Sequence, residues 1–217
     1  YKGKTIVAPS ALGITVNQRD LGQDVEIGKP DFSITEEKYP WKGVHAVAAN
    51  HYREVIIPIR NESANFRYQL ELRVFDDGVA FRYIVPGAGV FTVGGEASSW
   101  NIPKGSTLWY QENIFYYEGL YHESSLSKLG VRRMGPPLTY QTPDSLYVSL
   151  TEAALYNYSG MSLQSDSNGI IHAAFVNDPQ GWTIRDTIVT PWRVMIAGAG
   201  LNELVNADII LDLNPAP

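Results

Sequence analysis

Alternation of apolar and polar positions at a period of two dominates this chain. Phe66, Tyr68, Leu70, Leu72 and Val74 alternate with Arg67, Gln69, Glu71 and Arg73, and Val79-Ala80-Phe81-Arg82-Tyr83-Ile84-Val85 follows Asp76-Asp77-Gly78. Successive side chains of a strand point to opposite faces of its sheet, so these runs predict strands. Asp77-Gly78 between them predicts a hairpin closed by a type I′ turn, which requires positive φ. Further strands are predicted over 5–8, 12–17, 54–59, 90–96, 107–112, 114–121, 146–152, 161–164, 170–176, 182–184 and 192–197. Turn formers separate them, among them Gly87-Ala88-Gly89, Gly94-Gly95, Gly135-Pro136-Pro137 and Asp178-Pro179-Gln180-Gly181. Helix is expected only over 124–129 and 201–205, and no internal repeat is visible. Short strands at regular spacing predict an all-β fold, antiparallel sheets stacked as a sandwich.

One strand breaks its own pattern. Leu146, Val148 and Leu150 share a face, and the next position in that register is Glu152. A carboxylate that continues an apolar row must be paired, protonated or bound to a cation, because an isolated buried charge is very costly. Two readings follow. Either the strand ends at Thr151 and Glu152 reaches solvent or an arginine, or Glu152 is a ligand or metal carboxylate.

Composition narrows the field. The 217 residues, 44% hydrophobic and 18% charged, suit one large β-sandwich domain. A net charge of −6 argues against nucleic acid or an anionic membrane as the main partner, and nothing approaches a membrane-spanning apolar run. The absence of cysteine excludes disulfides and thiol chemistry. Thirteen tyrosines and five tryptophans suit strands, and exposed ones offer flat apolar faces with polar edges that fit sugar rings.

No complete catalytic constellation is present. There is no phosphate-binding Gly loop, no His-Glu-x-x-His and no nucleophile elbow, and His45, His51, His122 and His172 show no metal-ligand spacing. His122 beside Glu118 and Glu123 reads either as an acid–base pair or as a surface histidine. Tyr116-Tyr117-Glu118-Gly119-Leu120-Tyr121 sets aromatics around an acid, as carbohydrate sites do, or forms one edge of the sandwich. Thr190-Pro191-Trp192-Arg193 opens a strand with an indole and a guanidinium that could stack on each other.

The combination is more specific than its parts. Ser10-Ala11-Leu12-Gly13-Ile14, Asp76-Asp77-Gly78-Val79-Ala80-Phe81-Arg82-Tyr83, Tyr117-Glu118, Thr151-Glu152-Ala153-Ala154-Leu155-Tyr156-Asn157-Tyr158-Ser159-Gly160-Met161, Thr190-Pro191-Trp192-Arg193 and Leu213-Asn214-Pro215 occur in that order. In order and spacing they resemble the N-terminal domain of glycoside hydrolase family 97, the group that includes starch-utilisation α-glucosidases and α-galactosidases. The resemblance spans nearly the whole chain. It implies a galactose mutarotase-like β-super-sandwich over 1–217, followed in such enzymes by a catalytic (β/α)8 barrel that this sequence does not contain. It further implies that the sandwich packs on the barrel's active-site face and that Glu152 is lent to a calcium ion beside the catalytic acids. A hard cation taking several oxygens suits that role. A periplasmic or secreted location follows from the resemblance alone.

Three functions compete. The first is a non-catalytic domain of an α-glycosidase that completes the pocket for an α-linked oligosaccharide, with Trp109, Tyr116, Tyr117, Glu118, Tyr121, Trp192 and Arg193 as sugar-binding candidates and no catalytic residue of its own. The second is a freestanding carbohydrate-binding sandwich using Trp109, Tyr116, Tyr117 and Tyr121. The third is a mutarotase-like enzyme, whose chemistry needs a histidine acid and a carboxylate base on one sugar ring, such as His122 or His172 with Glu152. The tail Asn214-Pro215-Ala216-Pro217 reads as a linker and favours the first.

Overall fold

The computed structural model describes residues 1–116, 118–176 and 178–215. Its strands are β1 (Ile14–Val16), β2 (Arg19–Asp20), β3 (Val25–Ile27), β4 (Asp31–Pro40), β5 (Val47–Asn61), β6 (Phe66–Phe75), β7 (Gly78–Val85), β8 (Val90–Glu96) and β9 (Ser99–Trp100). They continue as β10 (Thr107–Gln111), β11 (His122–Ser125), β12 (Arg133–Gln141), β13 (Tyr147–Ala153), β14 (Ser162–Ser165), β15 (Ile171–Ala174), β16 (Trp182–Arg185), β17 (Ile188–Val189) and β18 (Trp192–Gly198). Two short helices, α1 (Leu201–Val205) and α2 (Ile209–Asp212), follow.

Among the described residues the strands form two antiparallel sheets. One has four strands in the order β16-β8-β1-β2. The other has fourteen, running β3-β5-β6-β7-β18-β13-β12-β14-β15-β9, with β4 on β5, β17 on β7, and β10 between β11 and β12. Period-two sequences make both faces of the large sheet. Leu70, Phe81, Met195, Leu150 and Leu138 point inward and share one core with Ile14, Val16, Val93 and Ile184 of the small sheet. Each such burial contributes roughly 2 kcal/mol. On the outer face, Tyr52, Phe75, Ala80, Val194 and Trp192 are covered by Ile209 and Leu213 from the C-terminal segment. The architecture is the expected super-sandwich with few short helices.

Several local expectations change. The β6–β7 hairpin forms with Val74 opposite Val79, but neither Asp76, Asp77 nor Gly78 has positive φ, so the turn is not type I′. Gly78 is needed for another reason: a Cβ there would lie 2.3 Å from the Met195 carbonyl oxygen on β18. The strand expected over 114–121 is absent from its described residues, because Asn113 Oδ1 accepts the N–H groups of Phe115 and Tyr116 and turns the chain instead. Segment 5–8 contributes one isolated bridge, Ala8 to Asn101. The helix expected over 124–129 shrinks to a 3-10 turn, Leu126–Lys128.

Candidate functional site

Glu152, the penultimate residue of β13, lies directly opposite Arg193 on β18. Both point inward, and there they meet Glu96, which ends β8 of the small sheet. Arg193 donates from Nε and Nη2 to the two oxygens of Glu96 at 3.0 and 2.5 Å, and from Nη1 to Glu152 Oε2 at 2.6 Å. The Arg193 and Glu96 side chains are fully buried, whereas that of Glu152 keeps 13% of its surface open. The Met161 N–H is shared between both Glu152 oxygens at 3.1 and 3.2 Å. Behind Glu96 the polar chain continues through Ser98 Oγ at 3.0 Å to Tyr83 Oη, which accepts the Gly13 N–H. Phe175 and Tyr158 flank the guanidinium, 5.5 and 5.8 Å from their ring centres.

The triad holds two carboxylates on one guanidinium and so carries one excess negative charge. Burial raises the Glu152 carboxyl above its ordinary pKa, against the opposing pull of Arg193 and the Met161 N–H. Burial alone would lower the pKa of Arg193, but the Glu96 and Glu152 carboxylates hold it above the usual arginine value. Removing either carboxylate leaves Arg193 charged. Removing Arg193 strands two acids in the core. The arginine alternative for Glu152 is therefore present as an ion pair, and the carboxylate also keeps an open edge. Among the described residues no three His, Cys, Asp or Glu side chains gather to hold a metal ion. Glu152 suits a cation as one donor of a larger set, since among the described residues Oε1 has only the Met161 N–H as partner.

The other site candidates are spread over the fold. Trp192 is sealed on the outer face, where Arg82 and Arg73 stack on its ring at 4.3 and 4.7 Å. Adjacent strand residues face opposite ways, so Trp192 and Arg193 do not stack on each other. Neither is open to a ligand. Trp109 stacks on Tyr147 and donates from Nε1 to Glu123 Oε2 at 3.1 Å. Tyr116 and Tyr121 are exposed, as are Phe115 and Leu120 beside them, and Glu118 is in solvent. Tyr117 lies outside the described residues. The Tyr121 hydroxyl reaches the Pro137 carbonyl at 3.4 Å, which places this aromatic segment at the Glu152 end of the large sheet, since Leu138 pairs with Leu150. Leu155 and Tyr156, which follow β13, are exposed as well. His172 pairs with Asp166 at 3.3 Å, and His122 packs against Tyr110; neither bonds Glu152.

Sequence reasoning missed Glu96. Its only signal was that it closes an alternating strand as Glu152 does. It also missed an outer-face charge ladder, in which Arg73 bridges Glu54 (2.8 Å) and Glu71 (3.2 Å) and Arg82 bonds Glu71 at 2.6 Å.

The family model described as the glycosyl-hydrolase 97 N-terminal domain matches residues 1–216. A probable retaining alpha-galactosidase of Streptomyces bingchenggensis is 28% identical over 233 aligned residues, covering 99% of this chain and 33% of that protein. The retaining alpha-galactosidase of Bacteroides thetaiotaomicron is 26% identical, covering 75% of this chain and 26% of that protein. The chain thus spans about a third or less of the length of these relatives. Among solved structures, a glycoside hydrolase family 97 enzyme from Pseudoalteromonas sp. strain K8, in complex with panose, superimposes with a TM-score of 0.91 at 26% identity, covering 99% of this chain and 34% of that one. No helix among the described residues is long and apolar enough to cross a membrane.

Proposed function

Because the chain belongs to the N-terminal domain family of the family 97 glycoside hydrolases, we propose that it is the accessory sandwich of an α-glycosidase. In this reading it packs on a catalytic barrel, helps to close the pocket for an α-linked oligosaccharide, and offers Glu152 as one ligand to a calcium ion. The substrate is an α-glucoside or an α-galactoside, and the location is the periplasm or outside the cell.

The observation that carries the reading is the conjunction at one end of the large sheet. A half-tethered carboxylate sits at the end of β13 that Tyr121 approaches, and Phe115, Tyr116, Leu120, Leu155 and Tyr156 are exposed in the flanking segments. Exposed apolar surface of this kind marks docking sites. Arg193 and the Met161 N–H fix the direction of Glu152, and 13% of its side-chain surface stays accessible. Calcium would supply positive charge beside reacting groups that lie beyond this chain. One carboxylate is a fraction of the six to eight oxygens the ion takes, so this chain alone should bind calcium weakly.

The test is Glu152→Gln in the full-length enzyme, followed by calorimetric titration with calcium. The variant should fold, bind calcium at least tenfold more weakly, and regain part of its lost activity at high calcium. A wild-type calcium midpoint would remove Glu152 from the metal site.

A further inference from the structure

The outer face of the large sheet holds a cavity unrelated to the Glu152 end. It lies between the β4–β5 hairpin and the C-terminal segment, encloses about 370 Å³, and is lined by Glu37, Tyr39, Trp41, Asn50, Asp212 and Asn214, together with Leu211 and Pro215. That volume is within the range of small-ligand sites. Glu152 faces the inner core, whereas its neighbour Ala153 belongs to the outer cluster with Leu213, so the two regions sit on opposite sides of the sheet.

The hydrogen-bonding groups of the cavity are only half used. Asn50 is 94% buried; its Nδ2 donates to Glu37 Oε1 at 2.6 Å, while its Oδ1 has no partner among the described residues. The Glu37 carboxylate fixes the amide in that orientation, because the reversed amide would set oxygen against oxygen. Leaving a buried amide oxygen unpaired costs about 1–3 kcal/mol; this one has almost no accessible surface of its own, so a bound hydroxyl gains the pairing by drawing the Asn50 amide toward the cavity. On the opposite wall the Tyr39 hydroxyl donates to Asp212 Oδ1 at 2.8 Å. Trp41 is half-buried at the rim and stands edge-on to Tyr39, with ring centres 6.5 Å apart.

The geometry points to a second, non-catalytic glycan site here, taking one pyranose ring of a neutral oligosaccharide against Trp41. The indole supplies a flat apolar surface for the C–H face of the ring, and Glu37, Asn50 and Asp212 supply acceptors for its hydroxyls. The surrounding acids, Glu37, Asp208, Asp212 and Asp77, disfavour phosphates, carboxylates and nucleic acid. No three of the cavity's side chains are placed to hold a metal ion among the described residues.

Intrinsic tryptophan fluorescence and proton–nitrogen NMR should be followed while the 217-residue protein is titrated, without calcium, with maltotriose and separately with raffinose. At least one sugar should saturate with a Kd of about 1 mM, shifting the Trp41 indole N–H and the Asn50 side-chain amide. Trp41→Ala should weaken binding at least tenfold. Phe32→Ala, which removes an exposed aromatic from the other side of the same hairpin, should not. If Trp41→Ala lacks a cooperative thermal transition, Glu37→Gln serves instead, with a several-fold loss expected. The absence of saturable binding overturns the proposal. So does binding that survives Trp41→Ala, an equal loss in Phe32→Ala, or a response of these signals to calcium alone. The readout contains neither calcium nor Glu152, so its outcome is independent of the metal reading above.

Discussion

At the scale of single residues, Arg193 is the side chain on which the interior depends most. It neutralises two buried carboxylates and ties the small sheet to the large one. Breaking a buried ion network by removing one partner costs about 3–5 kcal/mol. Arg193→Met should therefore lower Tm by about 10 °C or abolish the folded state, at about 2–4 °C per kcal/mol for a chain of this size. Adding Glu96→Leu to Arg193→Met should recover part of that loss, since it removes one of the stranded acids. Glu152→Gln keeps an acceptor for Arg193 and should cost only about 1 kcal/mol. Thermal melts of the three variants check the order; an Arg193→Met protein as stable as wild type would refute the account. Asp212 gives a pH signature. Burial lifts its carboxyl from 3.8 to about 6, with Asp208, Asp77 and Glu37 adding to the rise and the Tyr39 hydroxyl opposing it. A raised carboxyl binds its proton more tightly in the folded state, so its contribution is greatest at low pH and is lost as pH climbs from about 4 to about 6. Asp212→Asn keeps an acceptor for Tyr39 and cannot ionise. Its Tm relative to wild type should rise across that window and stay level above it. A difference that does not change with pH would contradict the assignment.

At the scale of elements, close approach explains what turn chemistry did not. Gly78→Ala would drive a methyl group against the Met195 carbonyl and wedge β7 from β18; a cost of about 1–3 kcal/mol is expected. Were the residue required only for its turn, with φ already ordinary, alanine would be harmless, and denaturant unfolding separates the two cases. The strands that the sequence made legible were those with one face in the core, such as β6, β7 and β8, and β18, an apolar run buried on both faces. β4 was illegible because Asp31–Pro40 is exposed along most of its length, so no burial imprints a period on it. β12 was hidden by Gly135-Pro136-Pro137, a turn signal that here lies inside a strand, where its ladder to β10 shifts register. The Glu152 position was legible for the same reason as the strands: a charge in an apolar row must have a partner. That partner's identity was not, because the Glu152–Arg193 pairing joins residues 41 apart in the chain and Glu96 comes from a different sheet. Periodicity reports faces and cannot report which strands become neighbours.

At the scale of the whole molecule, the arrangement of carboxylates decides whether this chain can act alone. Glycoside hydrolysis needs an acid and a second carboxylate facing each other across the sugar, roughly 5 Å apart for retention and wider for inversion. The acids gathered in this structure are otherwise engaged. Glu96 and Glu152 share Arg193, Glu54 and Glu71 share Arg73, and Asp77 accepts the N–H groups of Asp208 and Ile209 that open α2. Asp212 accepts from the Tyr39 hydroxyl, and Glu37, which lines the same cavity, accepts from the Asn50 amide. The 217-residue protein should therefore leave aryl α-glucosides and aryl α-galactosides intact over the pH range in which it is folded, with or without calcium. The same substrates should be cleaved when this sandwich is joined to a family 97 barrel. Turnover by the isolated chain that persists through repurification and disappears in Glu152→Gln would make Glu152 a reacting group in its own right. The sandwich would then be an enzyme, and its role as a docking domain would have to be abandoned.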